Sequence, residues 1–193
     1  MFKKTGIVNM PTAFGKFKFL VYHNLINNQE IAVIFQGNWS TEDEVLVRLH
    51  SSCVTGDIFS SLRCDCGPQL HKTLEMIDNE DSGIIIYLPQ EGRGIGLFNK
   101  IKAYKLQEEG LDTVEANIKL GFEADQREYA FVEDILKDMR VSKVKLITNN
   151  PDKIEKLSKL GINIVKRVEI KTEGNEFNSK YLETKRLKMG HLL

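Results

Sequence analysis

Apolar and polar positions follow a period of two over 44–49 (EVLVRL), which predicts a half-buried β-strand. The runs 15–22 (GKFKFLVY) and 31–36 (IAVIFQ) are rich in β-branched and aromatic residues and predict two more strands, joined through a turn at Asn27-Asn28. The continuous run 83–88 (GIIIYL) predicts a strand covered on both faces. Helical spacing appears at 59–62 and again at 69–78 (QLHKTLEMID). From there the pattern alternates. A helix over 95–109 stops at Gly110, a second spans 127–140, a strand covers 143–148, a helix over 151–160 stops at Gly161, and a strand covers 162–168. A helix over 181–193 closes the chain. The strand-helix-strand succession implies a parallel pair within a mixed sheet. The expected fold class is α/β (α+β). It is expected as one domain over 1–193, strand-rich in its N-terminal half and alternating helix and strand in its C-terminal half.

With 193 residues the chain can bury a full core without disulfide staples. Hydrophobic residues at 41% and charged residues at 28% exclude a mainly disordered polymer. Lys+Arg and Asp+Glu both number 27, so bulk charge gives no case for coating a nucleic acid or a membrane surface, and an anionic ligand needs a local cluster. No secretory signal opens the sequence, and the longest apolar run, 84–89, is far too short to span a bilayer. A cytoplasmic location is expected. Three cysteines, an odd number and all between positions 53 and 66, argue against a disulfide framework and raise the question of a metal or of catalysis.

Four clusters could carry chemistry. Cys53, Cys64 and Cys66 offer soft thiolate ligands suited to zinc, with an open fourth position or with His50 or His71 completing the set. The alternative is three buried thiols, which Asp65 and Gly67 within the segment disfavour. The second cluster, Gln90-Glu91-Gly92-Arg93-Gly94-Ile95-Gly96, lies between a strand and a helix. Its glycines permit close backbone approach and Arg93 offers a forked donor to an anion; a tight turn explains the same glycines. It has neither the dinucleotide fingerprint nor the Lys-Ser/Thr of a P-loop. In Thr148-Asn149-Asn150-Pro151-Asp152-Lys153, Asn150 is an N-cap and Pro151 suits the first helical position. A capped helix is the default there, yet Lys153 sits against the helix dipole, which hints at a phosphate. Asp125 and Arg127, two residues apart, form a solvated pair by default, and Tyr104 is by default a core or groove tyrosine.

Taken in order, RLHSSCVTGDIFSSLRCDCGPQL, IYLPQEGRGIGLFNKIKAYKLQEEGLDTVEAN, LGFEADQREYA, LITNNPDKIE and YLETKRLKMGHLL resemble GTP cyclohydrolase II, from about Met10 to the C-terminus. The resemblance implies hydrolysis of GTP with three waters to formate, pyrophosphate and 2,5-diamino-6-(5-phosphoribosylamino)pyrimidin-4-one, the entry step of riboflavin synthesis. It implies Cys53, Cys64 and Cys66 as ligands of one zinc per chain, with an open position for the water that attacks C8 of guanine. Tyr104 matches the tyrosine acting at the ring. Arg127 matches a residue attacking the α-phosphorus, and Asp125 matches the proton acceptor beside it. The GTP contacts implied are Arg48, Leu49, His50, Ser51, Ser52, Gln69, Glu91, Gly92, Arg93, Thr113, Thr148 and Lys153. Mg2+ accompanies the triphosphate, and a homodimer is implied. The family also occurs fused behind a dihydroxybutanone phosphate synthase domain, which this length does not accommodate. Ser52 and Pro89 depart from the family pattern, which commonly has Glu and Arg there. A guanidinium is a poor nucleophile, so electrostatic stabilisation by Arg127 stands beside the covalent role. The competing class, a non-enzymatic zinc module on nucleic acid or protein, requires a fourth zinc ligand and a basic face.

Overall fold

A computed structural model describes residues 2–192. Its strands are β1 (Phe2–Lys4), β2 (Val8–Thr12), β3 (Gly15–Asn24), β4 (Glu30–Gln36), β5 (Glu44–Ser51), β6 (Gly83–Leu88), β7 (Lys143–Ile147) and β8 (Ile164–Val168). Its helices are α1 (Cys66–Asn79), α2 (Gly96–Glu108), α3 (Thr113–Lys119), α4 (Ala130–Asp138), α5 (Pro151–Lys159) and α6 (Ser179–Met189). The chain divides into two compact units, one built from residues up to 50, 70–89 and 129–170, the other from 51–69, 90–128 and 171 onward.

The first unit holds a mixed sheet in the order β1-β3-β4-β6-β5-β7-β8, with β2 also paired to β3. β3, β4 and β6 are antiparallel neighbours, while β5, β7 and β8 run parallel, as the strand-helix-strand pattern implies. Alternate residues of each strand enter different cores. Val45, Val47, Leu49, Ile84, Ile86 and Leu88 pack with Val132, Ile135 and Leu136 of α4 and Leu157 of α5. Leu46, Ile85, Ile147 and Phe17 pack with Leu74 and Ile77 of α1. Helices therefore cover both faces, which is why the central strands are apolar at nearly every position.

The second unit consists of helices and turns: the start of α1, then α2, α3 and α6, a π-helical turn at Val54–Ile58 and a 3-10 turn at Glu91–Gly94. Several boundaries depart from the sequence expectation. Residues 59–62 are not helical; Phe59 ends the π-turn. The helix expected over 127–140 starts at Ala130, because Asp125 captures the backbone N–H of Arg127 and holds that residue out of the helix. Asp112 and Glu115 make a capping box that starts α3, an element the apolar pattern did not predict. The tail helix is Ser179–Met189, and the last residue of the expected 181–193 span, Leu193, lies outside the described residues. No helix among the described residues is long and apolar enough to cross a membrane.

Candidate active site

The π-turn folds Cys53 back toward the start of α1. Cys53 N–H donates to Asp57 (2.9 Å), Asp57 N–H donates to the Cys53 carbonyl (2.7 Å), and Gly56 N–H donates to Cys53 Sγ (3.4 Å). A Cβ on Gly56 would lie 2.8 Å from Cys64 Sγ and 3.1 Å from Cys53 Sγ. One on Gly67 would lie 2.4 Å from the Gly56 carbonyl, so both glycines are required for the turn to nest against the helix. Cys66 opens α1, so its side chain leaves the first turn of that helix. The three sulfurs lie within 4.8 Å of one another, and Cys53 and Cys64 are 3.7 Å apart. A tetrahedral zinc with bonds of about 2.3 Å spaces its sulfurs by about 3.8 Å, so the donor set suits that ion. The Cys53 thiol is held far below its ordinary value by hydrogen bonds from Cys64 and Cys66. The bond to Cys53 helps push Cys64 up to about 11, and Cys66 is also raised well above an ordinary thiol. No histidine, aspartate or glutamate joins the cluster among the described residues. His50 instead stacks on Tyr87 (5.5 Å) and His71 packs on Phe14 (4.9 Å).

Beside the thiols stands Lys100 of α2. Its ammonium donates to Cys53 Sγ (3.1 Å), Thr55 Oγ1 (2.8 Å) and Glu91 Oε1 (2.7 Å). Burial alone would pull its pKa down; the Glu91 bond and the Cys53 thiolate outweigh that and raise it. Glu91 is engaged at its other oxygen by Val54 N–H (2.6 Å). One turn further along α2, Tyr104 Oη lies 3.5 Å from Thr55 Oγ1 and the Arg63 guanidinium covers its ring at 4.2 Å. Burial raises the Tyr104 phenol, keeping it protonated.

The 3-10 turn carries two consecutive left-handed residues, Gly92 and Arg93, both at φ 61°. Its Arg93 carbonyl accepts from Gln126 N–H (3.0 Å), which brings the turn to the Asp125–Arg127 segment. Arg127 is paired through Nε and Nη2 with both Asp125 oxygens, and the two side chains are only 13% and 14% exposed. The solvated default therefore does not hold for this pair. Gln69 donates to Asp65 (2.6 Å), Thr113 opens α3, and Ser51 Oγ is buried without a hydrogen-bond partner. Ser52 is half-buried just ahead of Cys53.

The remaining candidates belong to the first unit. Arg48, Leu49 and His50 are buried at the end of β5, and Arg48 Nη1 donates to the Ile147 carbonyl (3.0 Å). Thr148 follows β7, its hydroxyl accepting from Asn150 N–H (3.0 Å). Lys153 turns inward from α5 to the Leu49 carbonyl (2.8 Å) and over the Tyr129 ring (5.7 Å). The Asn150 cap and Pro151 start behave as their residue types predict.

The family model for GTP cyclohydrolase II matches residues 3–169. The chain belongs to that family. It is 53% identical over 186 residues to a riboflavin biosynthesis protein RibBA of Cytophaga hutchinsonii, covering 96% of this chain and 46% of that protein. RibBA proteins of Chlorobium phaeovibrioides and Bacillus cytotoxicus are each 52% identical, again over 96% of this chain and 45% and 47% of theirs. The chain thus spans about half the length of these curated relatives.

Within this cyclohydrolase II fold, several engaged residues escaped the sequence reading. Lys100 shares a helix face with Tyr104 at i,i+4 spacing, which is a visible signal once Tyr104 is singled out. Asp65 is 2% exposed and receives Lys185 of α6 at 3.1 and 2.8 Å. His191 is held neutral, its pKa pulled down to about 3 by burial and then by the charges of Lys185, Arg127 and Arg93. No local spacing announces these last two partnerships.

Proposed function

We propose that the chain, as one domain over 1–193, hydrolyses GTP to 2,5-diamino-6-(5-phosphoribosylamino)pyrimidin-4(3H)-one, formate and pyrophosphate, at the head of riboflavin synthesis. The observation that carries this reading is the gathering in one unit of a three-thiol donor set, Tyr104, and the Asp125–Arg127 pair. A structural zinc module needs a fourth protein ligand, and the cluster offers three among the described residues.

Cys53, Cys64 and Cys66 would hold one zinc, whose Lewis acidity serves hydrolysis at C8 of the guanine ring. Tyr104, kept protonated by burial, would donate a proton to the opening ring. Arg127, fixed by its bonds to Asp125, would offer its planar guanidinium to a phosphoryl oxygen. Held this way the guanidinium is protonated, which supports electrostatic stabilisation at phosphorus over covalent attack. Arg93 Nη1 is buried without a hydrogen-bond partner and adds an anion-seeking donor. The GTP contacts proposed on the second unit are Ser51, Ser52, Gln69, Glu91, Gly92, Arg93 and Thr113. On the first unit they are Arg48, Leu49, His50, Thr148 and Lys153. Leu49 is 1% exposed, so any role it has runs through its backbone. Mg2+ enters with the triphosphate. A cytoplasmic homodimer is part of the proposal; the exposed Ile58, Phe59, Leu62, Phe98 and Ile101 of the second unit support self-association.

The test is incubation with GTP and Mg2+, with formate and pyrophosphate measured separately. Wild type should release both. Cys53→Ser should abolish formate, and Arg127→Ala should abolish pyrophosphate release, with Arg127→Lys failing to restore it because an ammonium lacks the planar fork. Absence of formate from zinc-loaded wild type overturns the reading; near-normal pyrophosphate from Arg127→Ala removes that residue from the phosphorus.

A further inference from the structure

Lys100 makes more contacts than neutralising Glu91 requires. Its three ammonium protons are matched by three acceptors, Glu91, Thr55 and the Cys53 sulfur, and its side chain is only 10% exposed. Its rotamer is fixed from two sides. Glu91 is anchored by Val54 N–H, and the loop backbone at Gly92 packs so closely that a Cβ there would lie 3.1 Å from Lys100 Cβ. The Lys100–Glu91 pair is neutral overall but directional, with its positive end 3.1 Å from Cys53 Sγ.

A divalent zinc held by three thiolates carries a net charge of −1. Thiolates are strong electron donors, so such a centre is a weak Lewis acid unless something withdraws density from sulfur. A charge-assisted N–H···S bond does this, and partners of metal ligands tune metal sites in this way. We propose that Lys100 is a positioning residue of the metal centre, its ammonium hydrogen-bonding the Cys53 thiolate and so raising the acidity of the bound metal. The proposal rests on the three-thiol zinc site of the preceding section.

Cobalt(II) in place of zinc gives a readout other than turnover, since thiolate-to-cobalt charge transfer absorbs in the near ultraviolet. Wild type should bind one cobalt per chain with that band; its absence refutes the metal site itself, whatever Lys100 does. Lys100→Met should move the band to longer wavelength, because the Cys53 lone pairs rise in energy when the donor is lost. Lys100→Arg, which keeps a charged donor, should move it less. Thr55→Val, which removes a Lys100 partner together with a neutral hydroxyl 3.6 Å from Cys53 Sγ, should move it less than Lys100→Met, because the charged donor stays. GTP turnover of zinc-loaded Lys100→Met should fall ~10–100-fold. A band unmoved in both Lys100→Met and Lys100→Gln overturns the proposal even if activity drops, since a packing role alone would do that. A shift in Thr55→Val equal to that in Lys100→Met also overturns it. Failure of the Met and Gln variants to bind cobalt supports it if Lys100→Arg binds normally, and counts against it if Lys100→Arg fails as well.

Discussion

Replacing Lys185 with methionine isolates the tie between α6 and the cysteine segment. Asp65 is 2% exposed, between Cys64 and Cys66, and its carboxylate receives Lys185 at both oxygens and Gln69 at one. The lysine side chain is itself 8% exposed. Lys185→Met leaves a buried carboxylate with one neutral donor. Removing one member of a buried pair costs about 3–5 kcal/mol, because the surviving charge stays desolvated. Asp65→Asn combined with Lys185→Met removes both charges and keeps an acceptor for Gln69, so the double variant should recover to within about 2 kcal/mol of wild type. Urea unfolding in excess chelator measures the ion pair without any contribution from metal. Adding zinc back, with a competing chromophoric chelator, then measures affinity, which should fall ~10–100-fold in Lys185→Met because Asp65 orients the ligands on either side of it. A loss under ~1 kcal/mol for Lys185→Met, or a double variant no better than the single, refutes the argument that α6 holds this segment in place.

His191 gives a pH signature. Its pKa drops from 6.5 unfolded to about 3 folded, so between those values the unfolded chain binds a proton that the native chain does not. Stability should therefore fall as pH falls through that window, by at most ~1.4 kcal/mol per unit, and should be unaffected above it. His191→Gln should flatten this part of the stability-pH curve in chelator; identical slopes in the two proteins would remove the histidine from the account. Ser52→Glu restores the family's common residue and should leave formate release intact with an unchanged or lower KM for GTP. A loss beyond about tenfold, some 1.4 kcal/mol of transition-state stabilisation, would show the pocket rebuilt around serine.

The sheet was legible because its information is local. Alternation in β5 and the apolar run of β6 report burial directly, and Gly110 and Gly161 end their helices at positive φ. Short, polar β1 and β2 carry no such pattern, and each pairs with β3. The apolar spacing of α1 begins only at 69, whereas the helix starts at Cys66, since a proline is tolerated in a first helical turn. Among site residues, the thiols were legible because three soft donors within 14 positions need no tertiary knowledge. Lys100 and Lys185 were not. A lysine in an amphipathic helix is by default a solvated one, and the contact that overturns this for Lys185 spans 120 residues.

If the chain acts on GTP as proposed, it would hold a triphosphate with no net charge of its own, so the arrangement of cations in the second unit decides where an anion can go. Its buried cations are mostly spoken for: Lys100 by Glu91, Arg127 by Asp125, Lys185 by Asp65. Each pair fixes a donor in place while leaving the local charge near zero, so the free protein bears little self-repulsion. Arg93 is different. Among the described residues it has no carboxylate partner, its Nη1 is buried without a hydrogen bond, and its backbone is left-handed. That conformation costs a non-glycine residue about 1–3 kcal/mol and persists only where the surroundings impose it. Here the imposition is visible in the Gln126 N–H on the Arg93 carbonyl and in the Gln126 backbone 3.2 Å from where a Cβ on Gly94 would stand. The turn therefore spends stability to keep one uncompensated guanidinium beside the paired Arg127. On the proposed reading, an anion arriving there would give Arg93 Nη1 its missing partner, so selectivity for phosphate would arise from which cation is left unpaired and not from a surplus of positive charge.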